Sequence, residues 1–239
     1  MSLYRIPLIL LVSGSMQLSL TNPSPAVTDE ERLKYSAAVD GRDRNIVRWT
    51  PTIIKYGQWL GAACEITVIL AKQFPYSPIA DHTLSALMKS PKNVSLLRVS
   101  TPCLIGAALS TWGALVRYWC YRTLEKDFTF TLALRKDHKL GTSGPYAIVR
   151  HPSYTGYIAA FTGVWVCWFG RGSWVRESGV LDSVVGGAAV GAIFAAGLSL
   201  VYLCLTRPVR EDRVLRGQFG KEWDEWARRV PYRLFPYIW

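Results

Sequence analysis

Five apolar segments, separated by charged loops, are the feature that most constrains how this chain can fold. A stretch of about 20 apolar residues is long enough to cross a bilayer core as one helix. Half of the 239 residues are hydrophobic and only 19% are charged, so these segments dominate the chain. We therefore predict an all-α integral membrane protein with about five transmembrane helices. The predicted spans are 3–20, 53–71, 99–119, 154–169 and 184–205.

Basic residues are concentrated between alternate spans. If the N-terminus lies outside, the inside segments are 21–49, 122–150 and 207–239, and these carry most of the lysines and arginines. The positive-inside rule then places them in the cytosol. This orientation requires that segment 3–20 is retained, although its shortness and Arg5 would also suit a cleaved signal peptide. The formal net charge of +11 suits apposition to anionic lipid on the cytosolic face.

The composition also excludes several classes of function. The five cysteines are widely spaced and mostly lie within apolar spans, and the three histidines are scattered, so we expect neither a metal site nor a disulfide framework. The basic residues are spread over loops without a DNA- or RNA-binding motif, so we do not expect nucleic acid as a partner. We predict one multispan domain, 1–239, with N-terminal spans in 1–125 and a functional core in 126–239.

Two charged clusters stand at the same end of two predicted spans. Residues 144–156, GPYAIVRHPSYTG, form a proline-broken basic turn directly before the apolar run of the fourth span. Arg207 and Glu211 follow the fifth span and, four residues apart, would share one face of a helix. Pro208 disfavours helical geometry at Arg207, and we expect it to mark a kink where the span leaves the bilayer. The two clusters together predict one site at the membrane edge, built from the C-terminal half.

Other polar residues are expected to have simpler roles. Asp212 and Arg210, next to Glu211, are expected to be solvated neighbours. Lys55 and Arg117 lie within or near predicted spans, and we expect their long side chains to reach the lipid interface.

The two clusters carry a resemblance to a known family. The stretch 138–156, HKLGTSGPYAIVRHPSYTG, resembles the signature of the isoprenylcysteine carboxyl methyltransferase family, and the tail 207–236, with FGKEW at 219–223, resembles its second block. The resemblance implies a multispan membrane enzyme that uses S-adenosyl-L-methionine to methylate the carboxylate of a C-terminal prenylated cysteine. It implies no Rossmann domain, and the chain has no GxGxxG fingerprint after a strand. A cytosol-facing site on an internal membrane suits the endoplasmic reticulum.

The resemblance further assigns roles to individual residues. Arg207 corresponds to the residue that binds the substrate carboxylate, for which a guanidinium fork is suited, and Arg150 is a second catalytic candidate in the same site. Glu211 corresponds to a contact with the cofactor's cationic ammonium group. The other cofactor-binding residues that the resemblance implies are Thr131, His138, Lys139, Leu140, Gly141, Tyr146, His151, Pro152, Ser153 and Tyr154.

Three other functions fit parts of the same pattern. A phosphatidylethanolamine N-methyltransferase would share the membrane and the cofactor, but it would need a proton acceptor, and Arg207 would oppose a cationic head group. A sterol-type reductase has a tail similar to VPYRLFPYIW, but this chain has too few spans, and Tyr157 stands where that group is expected to have an acidic residue. A non-catalytic lipid-binding protein is the third. The sequence does not determine the oligomeric state or the preferred prenyl chain.

Overall fold

The computed structural model describes residues 3–24, 41–130 and 139–238. These ranges contain helices and no β-strand, which confirms the all-α prediction. Short 3₁₀ helices lie at Pro91–Leu96, Glu125–Asp127, Gly144–Ala147 and Val180–Asp182. The α-helices of the described residues are α1 (Arg5–Ser19), α2 (Gly41–Ala71), α3 (Pro78–Leu87), α4 (Thr101–Leu124), α5 (Pro152–Phe169), α6 (Trp174–Glu177), α7 (Val184–Phe219) and α8 (Lys221–Arg229).

Each predicted span overlaps one of the long helices α1, α2, α4, α5 and α7, although α2 begins 12 residues before its predicted span and α7 extends 14 residues beyond its own. Within the described ranges, α7 is the one helix whose length and composition are sufficient to cross a membrane. The number of spans and their orientation therefore stay predictions. The same holds for the single domain with its N-terminal spans in 1–125 and its functional core in 126–239.

α4 and α5 form the most extensive helix contact in the bundle. Gly106 and Gly113 on α4 face Gly156 and Gly163 on α5, and the glycines of each pair are two helical turns apart. A Cβ atom on Gly113 would lie 2.4 Å from the Gly156 carbonyl oxygen, and one on Gly163 would lie 2.4 Å from the Ser110 nitrogen. Because no side chain fits in these places, the two helix backbones lie in direct contact.

α1 packs against α2, α4 and α5 and is an integral part of the bundle. Its Arg5 forms a buried ion pair with Glu65 of α2 and donates a second hydrogen bond, 3.0 Å long, to the carbonyl of Arg98. Further along α1, Met16 is completely buried in the main hydrophobic core. Pairing Arg5 with Glu65 matters because either charge alone would be costly to bury.

The C-terminal tail, 230–238, returns to the turn before α5. The backbone N–H of Arg150 donates to the carbonyl of Tyr232 at 2.9 Å, and that of His151 donates to the carbonyl of Arg233 at 2.8 Å. The tail and the turn are therefore joined through their backbones.

The expectation that Arg207 departs from helical geometry is wrong, because α7 continues through Pro208 to Phe219. The kink at Pro208 stays a prediction. A proline inside a helix removes one backbone hydrogen bond. Here Pro208 is completely buried, and an ion pair between Arg207 and Glu211, 3.0 Å long, bridges the same turn of the helix. Packing and this ion pair stabilise the helix across the proline.

The close crossing predicts that Gly113→Ala destabilises the protein. Its methyl group would meet backbone atoms of α5, so we expect a loss of about 1–3 kcal/mol, as in overpacked cores. The measurement is thermal unfolding of the purified protein, followed by circular dichroism. The matched control is Gly191→Ala on α7, where a Cβ would meet nothing within 4 Å. Equal melting of Gly113→Ala and wild type would show that the helices can separate without cost.

Candidate functional site

Asp212, in the part of α7 that follows the apolar segment 184–205, is the centre of the site. It is 5% exposed. His151 Nε2 lies 2.9 Å from Oδ1, while Arg150 Nη2 and Arg233 Nε donate to Oδ2 at 3.1 and 3.0 Å. The expectation that Asp212 is solvated is therefore wrong, because the turn before α5 and the C-terminal tail cover it.

The neighbouring Glu211 has its own set of partners. Arg207 Nη2 lies 3.0 Å from Oε1, and the Tyr154 hydroxyl donates to the same oxygen at 2.5 Å. His151 Nδ1 lies 3.3 Å from Oε2, so the imidazole bridges both carboxylates of the acidic doublet. The structure thus brings the two charged clusters of the sequence together.

The protonation states follow from these contacts. Each ring nitrogen of His151 faces a carboxylate, which suits an imidazolium with two N–H donors. Burial alone would lower the pKa of His151, but its hydrogen bonds to Asp212 and Glu211 raise the pKa above the ordinary value. Burial would raise the pKa of Glu211, yet the charge of Arg207 and the hydrogen bond from His151 lower it to about 2. The pKa of Asp212 is lowered as well, since His151 and Arg150 outweigh the effect of burial.

A cavity of about 60 Å³ lies beside this cluster, between α1, α2, α4, α5 and α7. Arg117, Ser153, Tyr154 and Arg207 provide polar groups on its wall. The remaining lining is mostly apolar and includes Leu20, Val47, Pro51, Tyr157, Leu200 and Leu203. The cavity therefore has the chemistry to receive a molecule that combines an acidic group with an apolar chain.

Arg207 is held in one orientation at the edge of this cavity. Besides its ion pair with Glu211, its Nη1 donates to the carbonyl of Phe130 at 2.9 Å, and the residue is 8% exposed. Arg210, which was expected to be solvated, instead forms a 2.8 Å ion pair with Asp43 of α2. These contacts attach α7 to its neighbours on two sides.

Arg150, the second catalytic candidate, has a different environment. Its Nη1 donates to the carbonyls of Val230 and Pro231 at 3.0 and 2.9 Å, and its guanidinium lies 5.8 Å from the Trp223 ring centroid. It is not among the residues that line the cavity. In this conformation Arg150 holds the tail and Asp212 in place.

Several predicted cofactor-binding residues lie at the cluster. The rings of His151 and Tyr154 are nearly parallel, at an interplanar angle of 12°, with centroids 5.8 Å apart. Pro152 is the buried first residue of α5. The backbone carbonyl and hydroxyl of Ser153 both accept hydrogen bonds from Arg117.

Other predicted cofactor-binding residues lie elsewhere. Tyr146 belongs to a separate apolar cluster that contains Cys120 and Trp226, and Leu140 packs against it. Lys139 is exposed. A Cβ on Gly141 would lie 2.3 Å from the Leu124 side chain, so this backbone lies tightly against the end of α4. Thr131 and His138 lie outside the described residues, and the role of every residue named here in cofactor binding stays a prediction.

Sequence reasoning did not identify Arg117 and Arg233 as site residues. The expectation that Arg117 reaches the lipid interface is wrong, because it is 5% exposed and donates from Nε to the carbonyl of Ser19 at 2.7 Å. A single arginine within an apolar span was the available signal, since such residues commonly face the bundle interior. Arg233 carried no comparable signal, because only the return of the tail places it beside Asp212.

Part of this site lies in a segment that matches the model of a known protein family. Residues 106–169 match the model of the Isoprenylcysteine carboxyl methyltransferase (ICMT) family, which confirms the resemblance seen in the sequence. The match includes the glycine-lined crossing of α4 and α5 and the turn at 150–154. It ends before α7, so Arg207 and Glu211 lie outside it.

Individual relatives match at modest identity. Protein-S-isoprenylcysteine O-methyltransferase B of Arabidopsis thaliana is 27% identical over 128 residues, which are 53% of this chain and 55% of that protein. Cobalt-zinc-cadmium resistance protein CzcN of Cupriavidus metallidurans is 31% identical over 133 residues, 56% of this chain and 47% of that protein. A probable protein-S-isoprenylcysteine O-methyltransferase of Oryza sativa subsp. indica is 26% identical over 136 residues, 56% of this chain and 61% of that protein.

The chain thus spans about half the length of the curated relatives it matches. No solved structure matches the chain.

The contacts of Asp212 predict that Asp212→Asn is strongly destabilising. The substitution leaves Arg150, Arg233 and His151 without their shared charge partner, and we expect a loss of about 3 kcal/mol or more. Chemical denaturation of the two proteins measures it. The control is Asp224→Asn, because Asp224 is paired with Arg216 at the surface, at side-chain exposures of 41% and 64%, and should change stability by about 1 kcal/mol or less. A similar loss of stability in both variants would contradict the prediction that the buried contacts of Asp212 stabilise the protein.

The raised pKa of His151 predicts a particular dependence of stability on pH. A group whose pKa is higher in the folded state stabilises the fold fully below its unfolded value, here 6.5, and loses this contribution as pH rises through the folded value. Wild type should therefore be more stable than His151→Gln by a margin that is largest below pH 6.5 and shrinks as the pH rises above it. Denaturant titrations at several pH values measure the margin. A margin that grows with pH or stays constant would show that folding does not raise the pKa of His151.

Proposed function

Because residues 106–169 match the Isoprenylcysteine carboxyl methyltransferase family model, we propose that this protein methylates the carboxylate of a C-terminal prenylated cysteine. The proposed methyl donor is S-adenosyl-L-methionine. Two of the named relatives are methyltransferases of this kind by name, which supports the same reaction class. The observation that carries the proposal is the position of Arg207, which is fixed by a buried carboxylate and faces a cavity with a largely apolar wall.

The charged cluster has a set of groups that fits the proposed donor. Glu211 offers a buried carboxylate for an ammonium group, and the aligned rings of His151 and Tyr154 offer flat faces for a base. When bound, S-adenosyl-L-methionine supplies a methyl group activated by its sulfonium. Glu211 already has three partners in this conformation, so receiving an ammonium requires Arg207, Tyr154 or His151 to yield one contact.

The acceptor needs orientation more than activation. A terminal carboxylate has a reference pKa of about 3.5 and is ionised at neutral pH, so no general base is required. Arg207 can orient it with two parallel N–H groups, and Glu211 and Phe130 already fix the plane of that guanidinium. A fixed acceptor oxygen in a dry cavity reacts faster because it is positioned and is not masked by water.

The apolar wall of the cavity supports a prenylated acceptor. Leu20, at the end of α1, and Leu200 and Leu203, on α7, belong to the apolar lining. Each methylene buried from water contributes about 0.8 kcal/mol, so even part of a prenyl chain would add considerable affinity. We further propose an internal membrane, such as the endoplasmic reticulum, as the location, with the site on its cytosolic face.

An amine acceptor has less support. Arg117 and Arg207 both face the cavity, and they would repel the ammonium of phosphatidylethanolamine. The metal-resistance name of CzcN describes that relative. In this chain, no group of three or more His, Cys, Asp or Glu side chains within the described ranges could hold a metal ion.

The proposal predicts that Arg207→Lys lowers methyl transfer to an S-prenylated cysteine about tenfold or more, while the affinity for S-adenosyl-L-methionine stays close to wild type. Lysine keeps the charge but loses the two-pronged contact with a carboxylate. Transfer of a labelled methyl group to N-acetyl-S-farnesylcysteine measures the rate, with phosphatidylethanolamine as competing acceptor.

The control for this experiment is Arg216→Lys, because Arg216 lies on the same helix but is exposed and paired with Asp224. If Arg207→Lys reacts at the wild-type rate, Arg207 does not orient the acceptor. If wild type labels the phospholipid and not the prenylcysteine, the proposed acceptor is wrong.

A further inference from the structure

We infer that Arg117 is a second anion-binding residue of the cavity and that it receives a carboxylate of the bound ligand. The inference deepens the proposed function. The identity of the molecule that carries the carboxylate rests on the proposed function, whereas the binding of an anion by Arg117 does not. It concerns a residue on α4, far in the sequence from Arg207, Arg150 and Glu211.

The guanidinium of Arg117 is buried and held by neutral groups. Its Nε donates to the Ser19 carbonyl at 2.7 Å and to the Tyr121 hydroxyl at 3.0 Å. Its Nη1 donates to the carbonyl and hydroxyl of Ser153 at 2.9 and 3.0 Å. No hydrogen bond joins Nη2 to any of the residues that the structure describes, so this arm is available to a ligand.

Arg117 differs from the other buried arginines because no described carboxylate pairs with it. The buried guanidinium groups of Arg5, Arg150 and Arg207 each have a carboxylate within ion-pair distance. In ranges 3–24, 41–130 and 139–238, no carboxylate forms an ion pair with Arg117. A buried charge without a counterion is costly, so we expect the ligand to provide one.

Aromatic rings partly stabilise this cation and leave it free to bind. Its guanidinium carbon lies 5.4, 5.3 and 5.9 Å from the ring centroids of Tyr121, Phe130 and Tyr157. Such contacts stabilise a desolvated cation without neutralising it. The charge remains available for an anion that enters the cavity.

Phe130 connects Arg117 with Arg207. Its ring faces Arg117, while its carbonyl accepts the hydrogen bond from Arg207, and all three residues line the cavity. Arg207 is neutralised by Glu211, whereas Arg117 is not. Among the described residues, the positive charge on the cavity wall that no carboxylate pairs with is therefore that of Arg117. We expect a carboxylate that enters the cavity to contact Arg117 as well as Arg207.

Two molecules of the proposed reaction carry a carboxylate. One is the prenylated cysteine, and the other is S-adenosyl-L-methionine, through its amino-acid moiety. The apolar lining around Arg117 favours the prenylated cysteine. The experiment separates the two by comparing each molecule with an analogue that lacks the negative charge.

The test measures equilibrium binding to the purified full chain. For the acceptor, the ligands are N-acetyl-S-farnesylcysteine and its methyl ester; for the donor, they are S-adenosyl-L-methionine and its decarboxylated form. In wild type, the acid should bind about tenfold or more tightly than its ester, as expected for a charge-assisted contact. Arg207 remains in Arg117→Gln, so this variant should lower the preference about threefold or more without abolishing it, and Arg117→Lys should restore part of the loss.

The control Tyr121→Phe removes one hydrogen-bond partner of Arg117 but keeps its charge, so the preference for the acid should persist. A merely structural role for Arg117 would lower all affinities together and leave the ratios unchanged. Loss of the preference for S-adenosyl-L-methionine over its decarboxylated form, with the acid–ester ratio intact, would assign the carboxylate to the donor.

Unchanged ratios for both pairs in Arg117→Gln would overturn the inference. If that variant does not fold, equal binding within both pairs by wild type would overturn the inference, and so would loss of the acid preference in Arg207→Gln, whereas a preference that persists in Arg207→Gln would support it. A measurement of methyl transfer by wild type distinguishes failure of the inference about Arg117 from failure of the proposed function. Wild type that shows an Arg117-dependent preference but no methyl transfer would refute only the proposed function, and the reverse result would refute only the role of Arg117.

Discussion

The Asp212 carboxylate lies within hydrogen-bond distance of Arg150, His151 and Arg233, and the site depends on these contacts. They join α7, the turn before α5 and the C-terminal tail, which are far apart in the sequence. A buried carboxylate is tolerated only when its charge is compensated, so the three parts must come together for any of them to be stable there. Once they do, His151 is directed to Glu211 as well, and Glu211 in turn fixes Arg207.

The second constraint is the contact between α4 and α5, where glycines allow backbone to touch backbone. This contact brings Arg117 of α4 against Ser153 at the start of α5. The residue after Ser153 is Tyr154, which reaches Glu211. The packing of two helices and the charge network of the site are therefore coupled through two adjacent residues of one turn.

The resulting cavity has an apolar wall and two arginines in its lining, and one kind of ligand fits both. Its apolar wall excludes water, which strengthens the electrostatic interaction of the guanidinium groups with an anion. Its arginines, in turn, make entry of an uncharged chain alone or of an amine less favourable. An apolar molecule that ends in a carboxylate meets both requirements.

The sequence by itself determined the helical class and the positions of the five long helices, because apolar length and periodicity are local properties. It also identified the two charged clusters, since their motifs are continuous in the chain. Tertiary structure alone decided the environments of Asp212, Arg117 and Arg233. Burial and ion pairing depend on which distant segments approach a side chain, and the sequence around these three residues does not show which segments those are. For the same reason Pro208, which locally disfavours a helix, lies within one whose packing stabilises it.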